Sequence, residues 1–128
     1  MSTILQFEIH ATDPARVAAY YRDLFGWTFV AGPMPGYWPL RRDAGVDAGL
    51  PGGIVQRMGP APAAGSAVSS FICTVRVDDV DATVAKAVSL GGEVALPKMA
   101  IPGVGWLAYV KDNDGNILGI SRPDAGAR

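Results

Sequence analysis

The sequence predicts an α+β fold built from two βαβββ modules within one domain. A length of 128 residues is typical of a single domain with one substantial core. Each half of the chain begins with strand-like alternation of apolar and polar residues and continues with helical spacing. A shift of 66 residues superposes the helix caps and a core leucine of the two halves: Asp13 on Asp79, Leu24 on Leu90 and Gly26 on Gly92. This repetition predicts modules over about residues 3–59 and 68–122.

The first strand of the first module is predicted over residues 4–10. Its apolar face carries Leu5, Phe7 and Ile9, and its polar face carries Gln6, Glu8 and His10. A strand with this alternation is half-buried, so its polar row faces solvent or a binding site.

A helix and three short strands complete the first module. Asp13 is placed to cap the helix, Pro14 suits its first position, and Gly26 ends it as a left-handed C-cap. The β-like segments that follow lie at residues 27–30, 37–41 and 53–58.

The second module repeats this order after a linker at residues 59–65. Residues 71–77 alternate again, Asp79 opens a second helix, and Gly91-Gly92 closes it. The last three β-like segments lie at residues 94–97, 105–111 and 116–121.

The composition excludes several classes of protein. With 49% hydrophobic residues, 18% charged residues and a net charge of −1, the chain has neither the basic surface of a nucleic-acid-binding protein nor the composition of a disordered one. No apolar run reaches the roughly 18 residues of a membrane span, and the N-terminus lacks the basic region of a signal peptide. We therefore expect a cytoplasmic protein with no nucleic-acid or membrane partner.

The chain contains one cysteine and one histidine, Cys73 and His10. One cysteine excludes an internal disulfide framework and a thiolate zinc cluster, and one imidazole leaves little for metal chemistry. Because Cys73 alternates in phase with Val75, we expect it to be buried against the second helix as an unreactive thiol.

Short motifs distributed along both modules carry a family resemblance. They include Phe7-Glu8-Ile9, Asp13-Pro14-Ala15-Arg16, Phe25-Gly26-Trp27, Val77-Asp78-Asp79-Val80-Asp81-Ala82, Ile101-Pro102-Gly103-Val104-Gly105 and Asp112-Asn113-Asp114-Gly115-Asn116. With the paired βαβββ modules, they resemble the vicinal oxygen chelate superfamily of glyoxalases, bleomycin-resistance proteins and extradiol dioxygenases. The resemblance implies that the two modules curl into an eight-stranded cup.

Metal-dependent members of that superfamily hold the metal on the cup-facing side of the first and last strand of each module. The resemblance carries these four positions to Gln6, Gln56, Ile72 and Gly119. Isoleucine and glycine side chains cannot ligate a metal, and two amides are a poor donor set for a divalent cation. The resemblance therefore implies a degenerate metal site, and we expect no metal or other cofactor.

The same positions predict where a small organic ligand would bind. We expect Gln6, Glu8, Gln56, Ile72 and Trp106 to line the site, with amides orienting the ligand and Ile72 and Trp106 supplying apolar contact. For Trp106, packing in the core is an equally good interpretation, because aromatic residues are common on strands.

Glu8 and His10 are the candidates for proton transfer. A histidine near the rim of a strand that bonds only a loop or solvent is the alternative interpretation of His10. A structural ion pair, with Arg41, Arg57 or Arg76 as partner, is the alternative for Glu8.

Two functions follow from this pattern. The first is a binding protein that takes up a small molecule in the cup without a metal. The second is a lyase, isomerase or dioxygenase of the same superfamily, using either a metal with unusual ligands or a metal-free site at Glu8 and His10. The open edges of small βαβββ sheets, together with the resemblance, also predict a homodimer.

Overall fold

The computed structural model describes residues 6–41, 49–68 and 72–128. The chain divides into two compact units, Met1–Ala61 and Pro62–Arg128. Each unit contains one helix and one mixed sheet, which confirms the predicted α+β class. The predicted strand positions Ile4, Leu5 and Phe71 lie outside the described residues. No helix in the described ranges is long and apolar enough to cross a membrane.

The first unit has a three-stranded sheet in the order β1-β3-β2. Its elements are β1 (Phe7–Ala11), α1 (Pro14–Phe25), β2 (Tyr37–Pro39) and β3 (Gly52–Gln56). The first and last strands, β1 and β3, are parallel, and β2 is antiparallel to β3.

The ends of α1 are set by local chemistry, as predicted. The Asp13 side chain accepts a hydrogen bond from Arg16 N at 3.2 Å, and Pro14 occupies the first turn. At the other end, Gly26 adopts a left-handed conformation with φ 77° and donates its N–H to Arg22 O.

The β1–β3 register separates the two faces of this sheet. Ala11 and Ile54 are completely buried on the face that α1 covers. Glu8 pairs with Gly53, and His10 pairs with Val55, so these residues lie on the opposite face. We call this opposite face, with Tyr37 beside Val55, the first helix-free face.

The predicted strand at residues 27–30 is wrong. In the described part of the chain, that segment makes one isolated bridge, between Phe29 and Leu40. Val30 N donates to Pro39 O at 3.3 Å, but proline has no N–H with which to return a bond, so the ladder does not extend there. The described residues therefore hold seven strands and not the eight of the predicted cup.

The second unit has a four-stranded sheet in the order β4-β7-β6-β5. Its elements are β4 (Thr74–Arg76), α2 (Val80–Ser89), β5 (Glu93–Ile101), β6 (Gly105–Lys111) and β7 (Ile117–Pro123). This is the predicted βαβββ order, and the first strand, β4, is again parallel to the last, β7.

One face of the second sheet packs against α2. Ala108, Val110 and Ile120 on that face are completely buried. The opposite face carries Thr74, Gly119 and Tyr109 across one rung, and we call it the second helix-free face. Cys73 precedes β4 and is exposed, so the prediction of a buried thiol is wrong.

Candidate functional site

The first helix-free face presents a carboxylate, an imidazole and a phenol. Glu8 and His10 lie two residues apart on β1, and their side chains therefore project from the same face. Tyr37 reaches this face from β2, through the rung that it shares with Val55 and His10. Gln6, which the sequence predicts as the next member of this row, directly precedes β1 and is exposed.

Glu8 and His10 contact each other directly. Glu8 Oε1 lies 3.5 Å from His10 Nε2, and the two side chains are 48% and 39% exposed. Arg57 Nη2 donates to His10 O at 2.8 Å and so fixes the backbone at this point. The carboxylate can orient the imidazole, and the imidazole can accept or donate a proton at its second nitrogen.

The ring of Tyr37 packs against Gly53, where no larger residue would leave it room. A Cβ atom on Gly53 would lie 2.6 Å from Tyr37 Cε2 and 2.9 Å from Trp38 O, so a larger residue does not fit there. Because Gly53 is the β1–β3 partner of Glu8, the ring covers the strand position next to that carboxylate. Tyr37 is not among the site residues predicted from the sequence. The glycine pair at residues 52–53 is the signal that could have indicated a close approach.

Gln56 does not share a face with Glu8. It pairs with Ala11, on the side of the sheet that α1 covers. Its amide Nε2 donates to Thr12 O at 2.9 Å and to Ala11 O at 3.4 Å. The structure therefore gives this amide two backbone partners at the end of β1 and does not bring it to Gln6 and Glu8.

Gly119 and Ile72 belong to the second unit. Gly119 is buried on β7 and pairs with Thr74 of β4. A Cβ atom on Gly119 would lie 2.5 Å from Thr74 Oγ1, so Thr74 already fills the space that a side chain would need. Ile72 is half-buried just before β4, in phase with Thr74.

Trp106 lies on the α2 side of the second sheet. It pairs with Arg122 and alternates in phase with the buried Ala108, whereas Ile72 is in phase with the opposite face. Trp106 and Ile72 therefore lie on opposite faces of the second sheet. The structure does not support the prediction that both line one site. Its indole Nε1 instead donates to Asp124 Oδ2 at 3.0 Å.

The pKa of Asp124 is lowered by its hydrogen bonds. The largest contribution comes from the Gly126 backbone N–H, which donates to Asp124 Oδ1 at 2.8 Å, and the next comes from Trp106. Partial burial opposes the shift, and the positive charge of Arg122 supports it. The carboxylate therefore accepts bonds at both oxygens and holds the indole in place.

The four positions that the resemblance assigns to a metal do not fit one. Ile72 has no donor atom, Gly119 has no side chain and no room for one, and the Gln56 amide is turned toward backbone carbonyls. Across the described ranges, no group of three or more His, Cys, Asp or Glu residues is placed to hold a metal ion.

The chain is similar in sequence to known glyoxalase-like proteins. A family model described as "Glyoxalase-like domain" matches residues 6–119. "Putative glyoxylase CFP32" of Mycobacterium tuberculosis is 32% identical in an alignment of length 117 that covers 88% of this chain and 42% of that protein. The chain therefore spans less than half the length of the curated relatives it matches.

Solved structures share the same fold. TnmS3, an antibiotic binding protein from Streptomyces sp. CB03234, is 25% identical with a TM-score of 0.67, over 97% of this chain and 98% of that one. A glyoxalase/bleomycin resistance/dioxygenase family enzyme from Burkholderia phytofirmans PsJN is 17% identical with a TM-score of 0.70, over 94% and 98% of the two chains.

The fold and these matches define a protein of the vicinal oxygen chelate superfamily. Within it, the chain belongs to the glyoxalase-like domain family, as the match over residues 6–119 shows. The resemblance found in the sequence is thus confirmed.

Proposed function

We propose that the chain binds a small organic molecule without a metal ion, and that the first helix-free face contributes Glu8, His10 and Tyr37 to the contact. The observation that carries this proposal is the packing of Thr74 against Gly119, which closes the position of a metal-binding glutamate. A ligand site combines apolar surface with a few polar groups, and this face offers a phenol ring beside a carboxylate and an imidazole.

The similarity to TnmS3 supports binding as the function. That protein is described as an antibiotic binding protein, and it aligns with nearly the whole of this chain. The proposal includes the cup that the family resemblance implies. Gln6, which continues the row of Glu8 and His10, and Ile72 remain proposed contacts.

A thermal-shift screen of aromatic and amphipathic compounds tests this function. We expect hits whose stabilisation is the same with EDTA as with added divalent cations. Among the variants, Tyr37→Ala and Glu8→Gln should reduce the shift, because they remove ring area and a hydrogen-bond acceptor. Asp23→Asn is the matched control, since Asp23 is exposed on α1 and pairs with its neighbour Arg22. Stabilisation that requires a metal would contradict the proposal.

Metal-free acid–base catalysis is the second candidate, and the Glu8–His10 contact at 3.5 Å favours it. In this case His10 Nδ1 exchanges a proton with the bound compound while Glu8 orients the ring through Nε2. Incubating each hit with the protein in D₂O separates the two functions. Recovery of the unchanged compound supports binding alone. Deuterium at a carbon position, lost in His10→Ala and retained in Asp23→Asn, supports catalysis.

A further inference from the structure

A small cavity lies on the α2 side of the second sheet, outside the site proposed above. Its volume is about 220 Å³. Its walls are the residues at the start of α2, Asp78–Asp81, together with Lys98 of β5, Trp106 of β6 and Arg122 of β7. All of these residues belong to one unit, and none contributes to the first helix-free face.

The indole of Trp106 is held in place on two sides. Its Nε1 donates to Asp124 Oδ2, and Lys98 Nζ lies 5.0 Å from the ring centroid. Lys98 Nζ in turn donates to Asp81 Oδ2 at 2.7 Å. This wall of the cavity therefore keeps one orientation without a ligand, which lowers the conformational cost of binding.

Two charged side chains in the cavity wall, Asp78 and Arg122, take no part in the contacts that hold Trp106 and Lys98. Asp79 caps α2 by accepting from Ala82 N, and Asp81 is paired with Lys98. Within the described residues, neither Asp78 nor Arg122 makes a side-chain hydrogen bond or an ion pair within 4.0 Å. A carboxylate and a guanidinium thus line one small cavity without reaching each other.

We propose that this cavity binds a small zwitterion, with its ammonium group on Asp78 and its carboxylate on Arg122. Such a ligand places an opposite charge against each of these two side chains at once, and a guanidinium is suited to a carboxylate. The short carbon segment between the two groups would lie against Trp106 and Val80. At about 220 Å³, the cavity is smaller than the roughly 300 Å³ at which drug-sized sites begin, so it suits a molecule of amino-acid size.

Binding of amino acids with increasing distance between the ammonium and carboxylate groups tests this proposal. Glycine, β-alanine, γ-aminobutyrate and 5-aminopentanoate are titrated into the full chain at low salt, by calorimetry and by ¹⁵N NMR. We expect saturable binding with one optimum length and a shift of the Trp106 indole N–H resonance. Propionate and propylammonium each carry only one of the charges. Their affinity should be lower than that of the best amino acid by a factor of about ten or more.

Variants identify the two charges. Asp78→Asn and Arg122→Gln should each weaken binding of the best probe by about tenfold, because each removes one charge-assisted contact. Lys86→Gln, in the last turn of α2, is the control and should leave the affinity unchanged. The proposal is overturned if no member of the series saturates, if one of the single-charge probes binds equally well, or if both variants bind as tightly as the parent chain. None of these results depends on Glu8 or Tyr37, so the proposed function is tested separately.

Discussion

Thr74 packs directly against the α-carbon of Gly119, on adjacent parallel strands of the second sheet. A Cβ atom on Gly119 would lie 2.5 Å from Thr74 Oγ1, 3.2 Å from its Cβ and 3.3 Å from its Cγ2. A change of χ1 can turn Oγ1 away, but Thr74 Cβ itself would still lie 3.2 Å from the added atom, so the approach stays tight in every rotamer. The residue that removes the expected glutamate therefore also lets the two strands pack closely.

We expect Gly119→Ala to lower the free energy of unfolding by about 1–3 kcal/mol, because overpacking forces a backbone or side-chain shift. Chemical denaturation monitored by circular dichroism measures this difference. The double variant Thr74→Ala, Gly119→Ala should recover part of the loss, since it removes Oγ1 and Cγ2.

Gly59→Ala is the matched control for this substitution. Nothing lies within 4 Å of a Cβ atom at Gly59, and its backbone does not require glycine. Its stability should equal that of the parent chain. A Gly119→Ala variant as stable as the Gly59→Ala variant would show that the contact with Thr74 imposes no constraint.

Asp124 should make stability depend on pH in the acid range. Hydrogen bonds from Gly126 and Trp106 lower the pKa of its carboxyl below the ordinary value of 3.8. A carboxyl with a lowered pKa in the folded state stabilises the fold above its unfolded pKa, and this contribution is lost as the pH falls through the folded pKa. Asp124→Asn should therefore melt at a lower temperature than the parent chain at pH 7, and the difference should shrink below pH 3.8.

Thermal melts of both chains between pH 7 and pH 2 measure this difference. Glu93→Gln, exposed at the start of β5, provides a control for the loss of one acidic side chain in the same unit. A difference between parent and Asp124→Asn that stays constant over the whole range would mean that the carboxylate charge does not stabilise the fold.

Elements set by short-range chemistry could be predicted from the sequence. Asp13 and Gly26 define the ends of α1 through bonds to residues three or four positions away, so their roles follow from residue type and spacing alone. Residues 27–30 do not form the predicted strand because Pro39, on the facing segment, has no N–H to extend the ladder. That proline is visible in the sequence, but its pairing partner is not.

The face of a strand residue was harder to predict, because it depends on pairing between distant segments. Trp106 follows a turn, and its face is determined by the pairing of β6 with β7, where it lies opposite Arg122. Gln56 was assigned to the cup-facing side by the family resemblance, whereas the β1–β3 register places it opposite Ala11, on the side that α1 covers. A difference of one residue in either alignment reverses the face, and nothing local in the sequence corrects it.

We predict that the purified protein holds no stoichiometric Zn, Ni, Mn or Fe. The physical reason is that Ile72 and Gly119 supply no donor atoms at two of the four positions. Elemental analysis of protein that has not been treated with chelator measures the metal content directly, and EDTA should leave the melting temperature unchanged. About one metal ion per chain, with a lower melting temperature after chelation, would contradict the proposed metal-free site.

We predict a homodimer in solution, on the basis of unpaired strand edges. Among the described residues, β1 is an open edge of the first sheet, whereas the outer side of β2 accepts bonds from the segment around Phe29; the edges of the second sheet are β4 and β5. Strand β5 is poorly suited to pairing because it contains Pro97, Lys98 and two register shifts, so the contact should involve another edge. Size-exclusion chromatography with light scattering should give twice the chain mass of 13.4 kDa. A mass of one chain at micromolar concentration would refute the dimer.

Gln56 provides the last prediction, because its amide has a structural role that a metal ligand could not have. Its Nε2 donates to Thr12 O and Ala11 O, and Ala11 O also accepts from Arg57 N at 2.8 Å. Gln56→Ala should therefore reduce stability by about 1 kcal/mol, the net value of an ordinary hydrogen bond. Gln56→Glu restores an acidic side chain at a position that the resemblance assigns to a metal ligand, but it directs an acceptor toward two carbonyl oxygens.

We expect Gln56→Glu to be at least as destabilising as Gln56→Ala at pH 7. Carbonyl oxygens nearby disfavour the carboxylate and raise the pKa of the new carboxyl in the folded state. An acid whose pKa is raised on folding destabilises the fold as the pH rises above its unfolded value of about 4.3, so the loss should diminish when the pH is lowered to 4. Denaturation at pH 4 and pH 7, with and without zinc, measures both effects. Stabilisation of Gln56→Glu by zinc would mean that this side chain reaches a metal site, which the β1–β3 register excludes.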